Sequence, residues 1–74
     1  MKKYDKFFEK ERISYVEAIV KGDKVEASLH MGRMQGYKYA LCIMGVDFEK
    51  ICYFHDRIMT AIDFAYRMKR CRKN

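Results

Sequence analysis

The chain contains no proline, and its only backbone punctuation is Gly22-Asp23 and Gly45-Val46-Asp47. A helix-breaking residue is therefore absent from every long stretch, and two breaks divide the chain into three segments. No linker rich in Gly and Ser and no internal repeat interrupts them, so residues 1–74 read as one domain with a biased tail at 67–74. A chain this short buries only about 60% of the surface its unfolded form exposes, and association with a second chain is a usual remedy for so thin a core. With five Phe, six Tyr and six Met, the apolar supply exceeds what such a core needs, and a homodimer is expected.

The first segment, residues 3–21, sets Tyr4, Phe8, Tyr15, Val16 and Ile19 within one stripe at about 100° per residue, flanked by Ile13 and Val20. This pattern predicts an amphipathic helix, with Gly22 as the residue just past its end. The third segment, residues 47–72, repeats the pattern through Ile51, Phe54, Ile58, Ala61, Ala65 and Met68, and Asp47 is placed to cap it. The middle segment supports two readings. Val25, Ala27, Leu29 and Met31 alternate with polar residues as in a half-buried strand, and residues 32–36 could turn into a second strand. Against this, Val25, Leu29, Gly32, Gly36, Tyr39, Ile43 and Val46 follow a four-three spacing among good helix formers. The helix is favoured, giving an all-α three-helix bundle; α-β-β-α is the alternative.

Two glycines inside a helix each cost about 1 kcal/mol against alanine and call for a packing reason. Ser28, Gly32, Gly36 and Ala40 lie four apart and form a ridge almost without side chains. Such a ridge lets another backbone approach closely, either a helix of the same chain or the matching helix of a dimer.

The last eight residues hold five of the sixteen Lys/Arg and none of the ten Asp/Glu, and so carry five of the six units of net positive charge. Arg67, Lys69, Arg70, Arg72 and Lys73 are the candidate partner-binding or nucleic-acid-binding residues. Arg offers paired donors to phosphate or carboxylate and Lys a point charge. A helix-turn-helix is disfavoured, because the helix after the second break opens with Phe48-Glu49-Lys50-Ile51 where base-reading side chains should stand. Any nucleic-acid contact is then expected to be to the phosphate backbone and salt-sensitive.

Cys52 and His55 share a helical face and are the best local catalytic pair, but no loop that could cradle a phosphate or hold an oxyanion accompanies them. His30, Cys42, Cys52, His55 and Cys71 lack the closely paired spacing of a structural zinc site. Neither an enzyme, a metal nor a cofactor is expected. Three widely spaced cysteines do not form a disulfide framework, and Tyr4-Asp5-Lys6 stands where an export signal would place its apolar stretch. The longest near-apolar run, residues 39–46, is far short of the ~20 residues of a membrane span. A cytoplasmic protein is expected, without membrane contact.

The run from Gly32-Arg33-Met34-Gln35-Gly36-Tyr37 through Gly45-Val46-Asp47-Phe48-Glu49-Lys50-Ile51 resembles small helical accessory proteins of phages and other mobile elements: a helix, a glycine stop and an acidic-aromatic helix start. It covers about a quarter of the chain. The resemblance implies a short, cytosolic, non-enzymatic protein of a class in which some members, the anti-CRISPR proteins among them, inhibit host defence nucleases. They do so by occupying a nucleic-acid or subunit-docking surface. It transfers no individual functional residue, and the basic tail departs from the acidic, DNA-mimicking style of many such inhibitors. The function expected is therefore docking on a protein or ribonucleoprotein partner, with direct DNA or RNA binding as the competing reading.

Overall fold

The computed structural model describes residues 3–72, with side chains placed over 6–71, as three α-helices: α1 (Lys3–Lys21), α2 (Lys24–Ile43) and α3 (Phe48–Arg72). The described residues contain no strand, so the hairpin alternative for the middle segment is excluded. Its alternating pattern fails physically because Val25 and Leu29 stand in water while Ala27 is buried.

Both turns are built by the glycines that divide the sequence. At the first, Gly22 adopts φ 84°, its N–H bonds Ile19 O at 3.0 Å and the Asp23 N–H bonds Ala18 O at 2.9 Å. At the second, Gly45 adopts φ 76°, with Gly45 N–H to Cys42 O at 3.1 Å and Val46 N–H to Leu41 O at 3.0 Å. Each is a Schellman closure, which satisfies the last carbonyls of the preceding helix and needs a left-handed residue that only glycine adopts without strain. Asp23 then caps α2, its carboxylate accepting from Glu26 N–H at 3.0 Å. Asp47 caps α3, accepting from Glu49 N–H at 3.3 Å.

The core lies where α1 packs against both other helices. Phe8, Tyr15, Ala18 and Ile19 come from α1, Ala27, Met34 and Leu41 from α2, and Phe54, Ile58, Ala61 and Ala65 from α3. Phe8 and Phe54 pack with tilted rings, centroids 4.8 Å apart, and Tyr37 meets Phe54 edge-on at 6.3 Å. The stripes expected of α1 and α3 thus face the core where side chains are described, with Val16 and Ile51 half-buried and Met68 exposed; the Tyr4 side chain lies outside the described residues. On α2 the buried face differs from the expected stripe. It runs through Ala27, Met34 and Leu41, seven residues apart, while Val25, Leu29, Tyr39 and Ile43 of the expected stripe are exposed.

Among the described residues, Glu11 is the one charged residue in the core, at 5% exposure. A buried carboxylate is costly unless paired. His30 Nδ1 donates to Glu11 Oε1 at 2.6 Å, and the Arg33 guanidinium lies 3.5 Å away. The other His30 nitrogen faces Glu26 at 3.2 Å. This polar lock joins α1 to α2 from one side of the core. On the other side Glu9 joins α1 to α3: Arg12 Nε donates to it at 2.8 Å, and Arg57 Nη2 bonds both its oxygens, Oε2 at 2.6 Å. The Arg12 hydrogen bond, with Arg57 behind it, holds the Glu9 carboxyl below the usual range despite partial burial.

The bundle is elongated, 45 × 20 × 19 Å, with a radius of gyration of 13.0 Å against about 11 Å for a compact chain of this length. The shape exposes a large share of α2 and α3.

Candidate interaction surface

Around α2 the residues Val25, Ser28, Leu29, Gly32, Gly36, Tyr39, Ala40 and Ile43 occupy one face, half a turn from the Ala27, Met34 and Leu41 face that enters the core. All eight are exposed and none is charged. Val25 keeps 80% of its surface in water, Leu29 46%, Tyr39 63% and Ile43 87%. Charges border this face: Glu26 and Arg33 along one flank, Lys24 and Lys38 along the other, with the Lys38 ammonium 5.7 Å from the Tyr39 ring centroid. A helix that turns one apolar stripe to its own core and a second to solvent has surface for a further partner.

The small-residue ridge belongs to this outward face. A Cβ built at Gly32 or Gly36 would meet nothing within 4 Å. Of the two readings of the ridge, the close crossing with a helix of the same chain is therefore corrected: among the described residues, neither α1 nor α3 comes close to Gly32 or Gly36.

The basic end of α3 is thinner than its sequence suggests. Arg67 pairs with Asp63 one turn earlier at 3.1 Å, an exposed contact worth about 0–1 kcal/mol. Lys69 is half-buried, Arg70 is exposed, and the Arg72 side chain and Lys73 lie outside the described residues. The cations complement the negative end of the helix dipole. Tyr66, just before them, borders a shallow hollow with Tyr15, Ile19, Lys24, Ser28 and Gly32. The α3 segment leading into the tail thus adjoins the first half of the α2 ridge, a proximity that no local pattern signals. Within that hollow, burial and the neighbouring Tyr66 push the Tyr15 hydroxyl pKa upward.

The remaining candidates do not converge. His55 Nδ1 accepts from Lys38 Nζ at 3.3 Å, and Cys52 is exposed. Tyr53 and Tyr66 are exposed, whereas Tyr37 packs on Phe7 with ring centroids 5.1 Å apart. A second hollow, between α1 and α3, is lined by Arg12, Tyr53, Asp56, Arg57, Thr60 and Phe64, and Glu9 engages both of its arginines. Among the described residues, no group of three His, Cys, Asp or Glu is placed to hold a metal ion. No helix there is long and apolar enough to cross a membrane.

Sequence reasoning had named Val25, Leu29, Tyr39 and Ile43 as a helical stripe without recognising them as a free surface. The signal available was the second series, Ala27, Met34 and Leu41, at seven-residue intervals on the opposite side. Compared with known proteins, the chain matches no family model, no curated protein and no solved structure.

Proposed function

We propose that this protein acts by stoichiometric docking on a protein or nucleoprotein partner in the cytoplasm, without chemistry of its own. The observation that carries the reading is the charge-free outward face of α2, where four large apolar side chains stand in water on a chain whose core is complete without them. Interface cores combine depletion of charge with apolar and aromatic anchors, and Tyr39 is the anchor of this type at the centre of the C-terminal half. Arg67, Lys69, Arg70, Arg72 and Lys73 supply electrostatic attraction to an acidic or phosphate-bearing surface. Self-association as a homodimer belongs to the same reading, as does the setting suggested by the resemblance to phage accessory proteins: an inhibitor of a host defence nuclease.

A photo-crosslinking residue in place of Leu29, with Glu17 on α1 as control, tests the reading in the cell that makes the protein. A defined adduct from position 29 and none from position 17 supports it. Equal labelling from both positions, or none from either, removes it.

Direct DNA or RNA binding is the second reading, favoured by the exposed pair Tyr66 and Arg70, one turn apart at the end of α3. An aromatic ring beside a guanidinium suits base stacking with phosphate contact. Fluorescence anisotropy with a labelled duplex and an RNA hairpin tests it: affinity should fall steeply with salt and vanish in a Lys69→Glu/Arg70→Glu variant.

A further inference from the structure

We infer that the occupant of the outward α2 face is a second copy of this chain, packed antiparallel about a two-fold axis level with Met34. The inference rests on the reading of that face as a contact surface and names what covers it.

Its ground is the order of residues along the face. Measured from Met34, Gly32 and Gly36 lie two residues away on either side, Leu29 and Tyr39 five, Ser28 and Ala40 six, and Val25 and Ile43 nine. Each pair matches in kind: glycine with glycine, large apolar with large apolar, small with small. A two-fold interface brings the same patch from both subunits together, so residue i meets j and j meets i. Laid antiparallel, the two helices therefore set Leu29 against Tyr39 and Val25 against Ile43 twice over, with the four glycines at the crossing point. A crossing needs the closest backbone approach at its centre and side-chain bulk toward its ends, and the face is distributed in that way.

The four-three spacing from Val25 to Ile43 is that of a helix seam maintained over nearly three heptads. Covering the four large side chains removes on the order of 500 Å² from each copy, about 1,000 Å² across the pair, the size at which specific interfaces begin. Nothing among the described residues competes for the position, because the space over Gly32 and Gly36 is open to 4 Å.

The test joins mass to register. Sedimentation equilibrium of the reduced wild-type chain should show mass rising from 8.9 kDa toward twice that. Gly36→Leu should remain at monomer mass with wild-type helicity, since its side chain points into open space in the single chain. In a background with Cys42, Cys52 and Cys71 replaced by serine, Leu29→Cys and Tyr39→Cys chains are mixed and treated with a short bismaleimide. The mixture should cross-link several-fold more than either variant alone. Equally strong linking of Leu29→Cys by itself would establish a parallel pair and overturn the inference. A wild-type chain that stays monomeric to about 1 mM would remove the second copy as the occupant. In that event an adduct of a different protein at position 29 leaves the docking reading intact, and the absence of any adduct removes both.

Discussion

On α2, Ala27, Met34 and Leu41 disappear into the core, whereas Val25, Leu29, Tyr39 and Ile43, half a turn away on the same helix, stand in water. By side-chain size the outward face is the more hydrophobic of the two, so hydrophobicity alone does not select the buried side. Complementarity does. Phe8 and Tyr15 from α1 and Phe54 from α3 already fill much of the space between the helices, and close packing there admits Ala27, the flexible Met34 and Leu41 from α2. The bulky residues of the outward face suit a surface that α1 and α3 do not provide.

The contrast yields its largest expected effect on the inward side. Met34, with no exposed surface, should lose about 2–5 kcal/mol of stability on substitution by alanine, a large share of what so small a domain possesses. Tyr39→Ser on the outward face should change the stability of the dilute chain by about 0.5 kcal/mol or less. Urea unfolding at low concentration compares them directly, and similar losses in both would erase the distinction between the faces.

The Glu9 bridge between α1 and α3 provides an intermediate effect with a pH signature. Glu9 binds a proton less readily in the folded protein than in the unfolded chain. Its contribution is therefore present above the ordinary carboxyl value near 4.5 and disappears as the pH falls through the lower folded value. Glu9→Gln should be less stable than wild type at pH 6, with the gap closing toward pH 2 in denaturant midpoints. Tyr15 works in the opposite direction. Its raised pKa makes the folded state hold the phenolic proton more tightly, so stability should fall as pH rises beyond about 10. Tyr15→Phe should flatten that alkaline decline.

A smaller effect than the loss at Met34 is the most discriminating. Gly36→Ala replaces a helix-interior glycine where the added methyl meets nothing, so the dilute chain should gain about 0.5–1 kcal/mol. At a concentration where two copies associate, the same methyl stands at the crossing point and should weaken the pair. Thermal melting across a concentration series separates the two regimes.

The parts of the fold readable from sequence are those set by local chemistry. Gly22 and Gly45 announce their turns because a left-handed residue is required there, and Asp47 announces the start of α3 because free N–H groups need an acceptor. The α1 and α3 stripes were legible because each helix has one dominant apolar side. What sequence did not give was set by partners distant along the chain. Glu11 reads as an ordinary polar position until His30 and Arg33 are brought to it across the α1–α2 contact. The glycine ridge is a plain pattern in the sequence, but whether it faces a neighbour in the same chain or open space depends on which side of α2 the other helices cover. At the basic end, Arg67 looked available because its pairing with Asp63 competes with solvent and follows only once the helix is formed.

The most direct single measurement is the sedimentation-equilibrium mass of wild-type protein and of Tyr39→Lys, under reducing conditions from micromolar to millimolar concentration. The expected result is a wild-type mass that climbs from 8.9 kDa toward its double, while Tyr39→Lys remains at 8.9 kDa with unchanged helicity. Equal masses for the two proteins at every concentration, whether single or doubled, would contradict the assignment of the outward α2 face as the surface on which this protein associates.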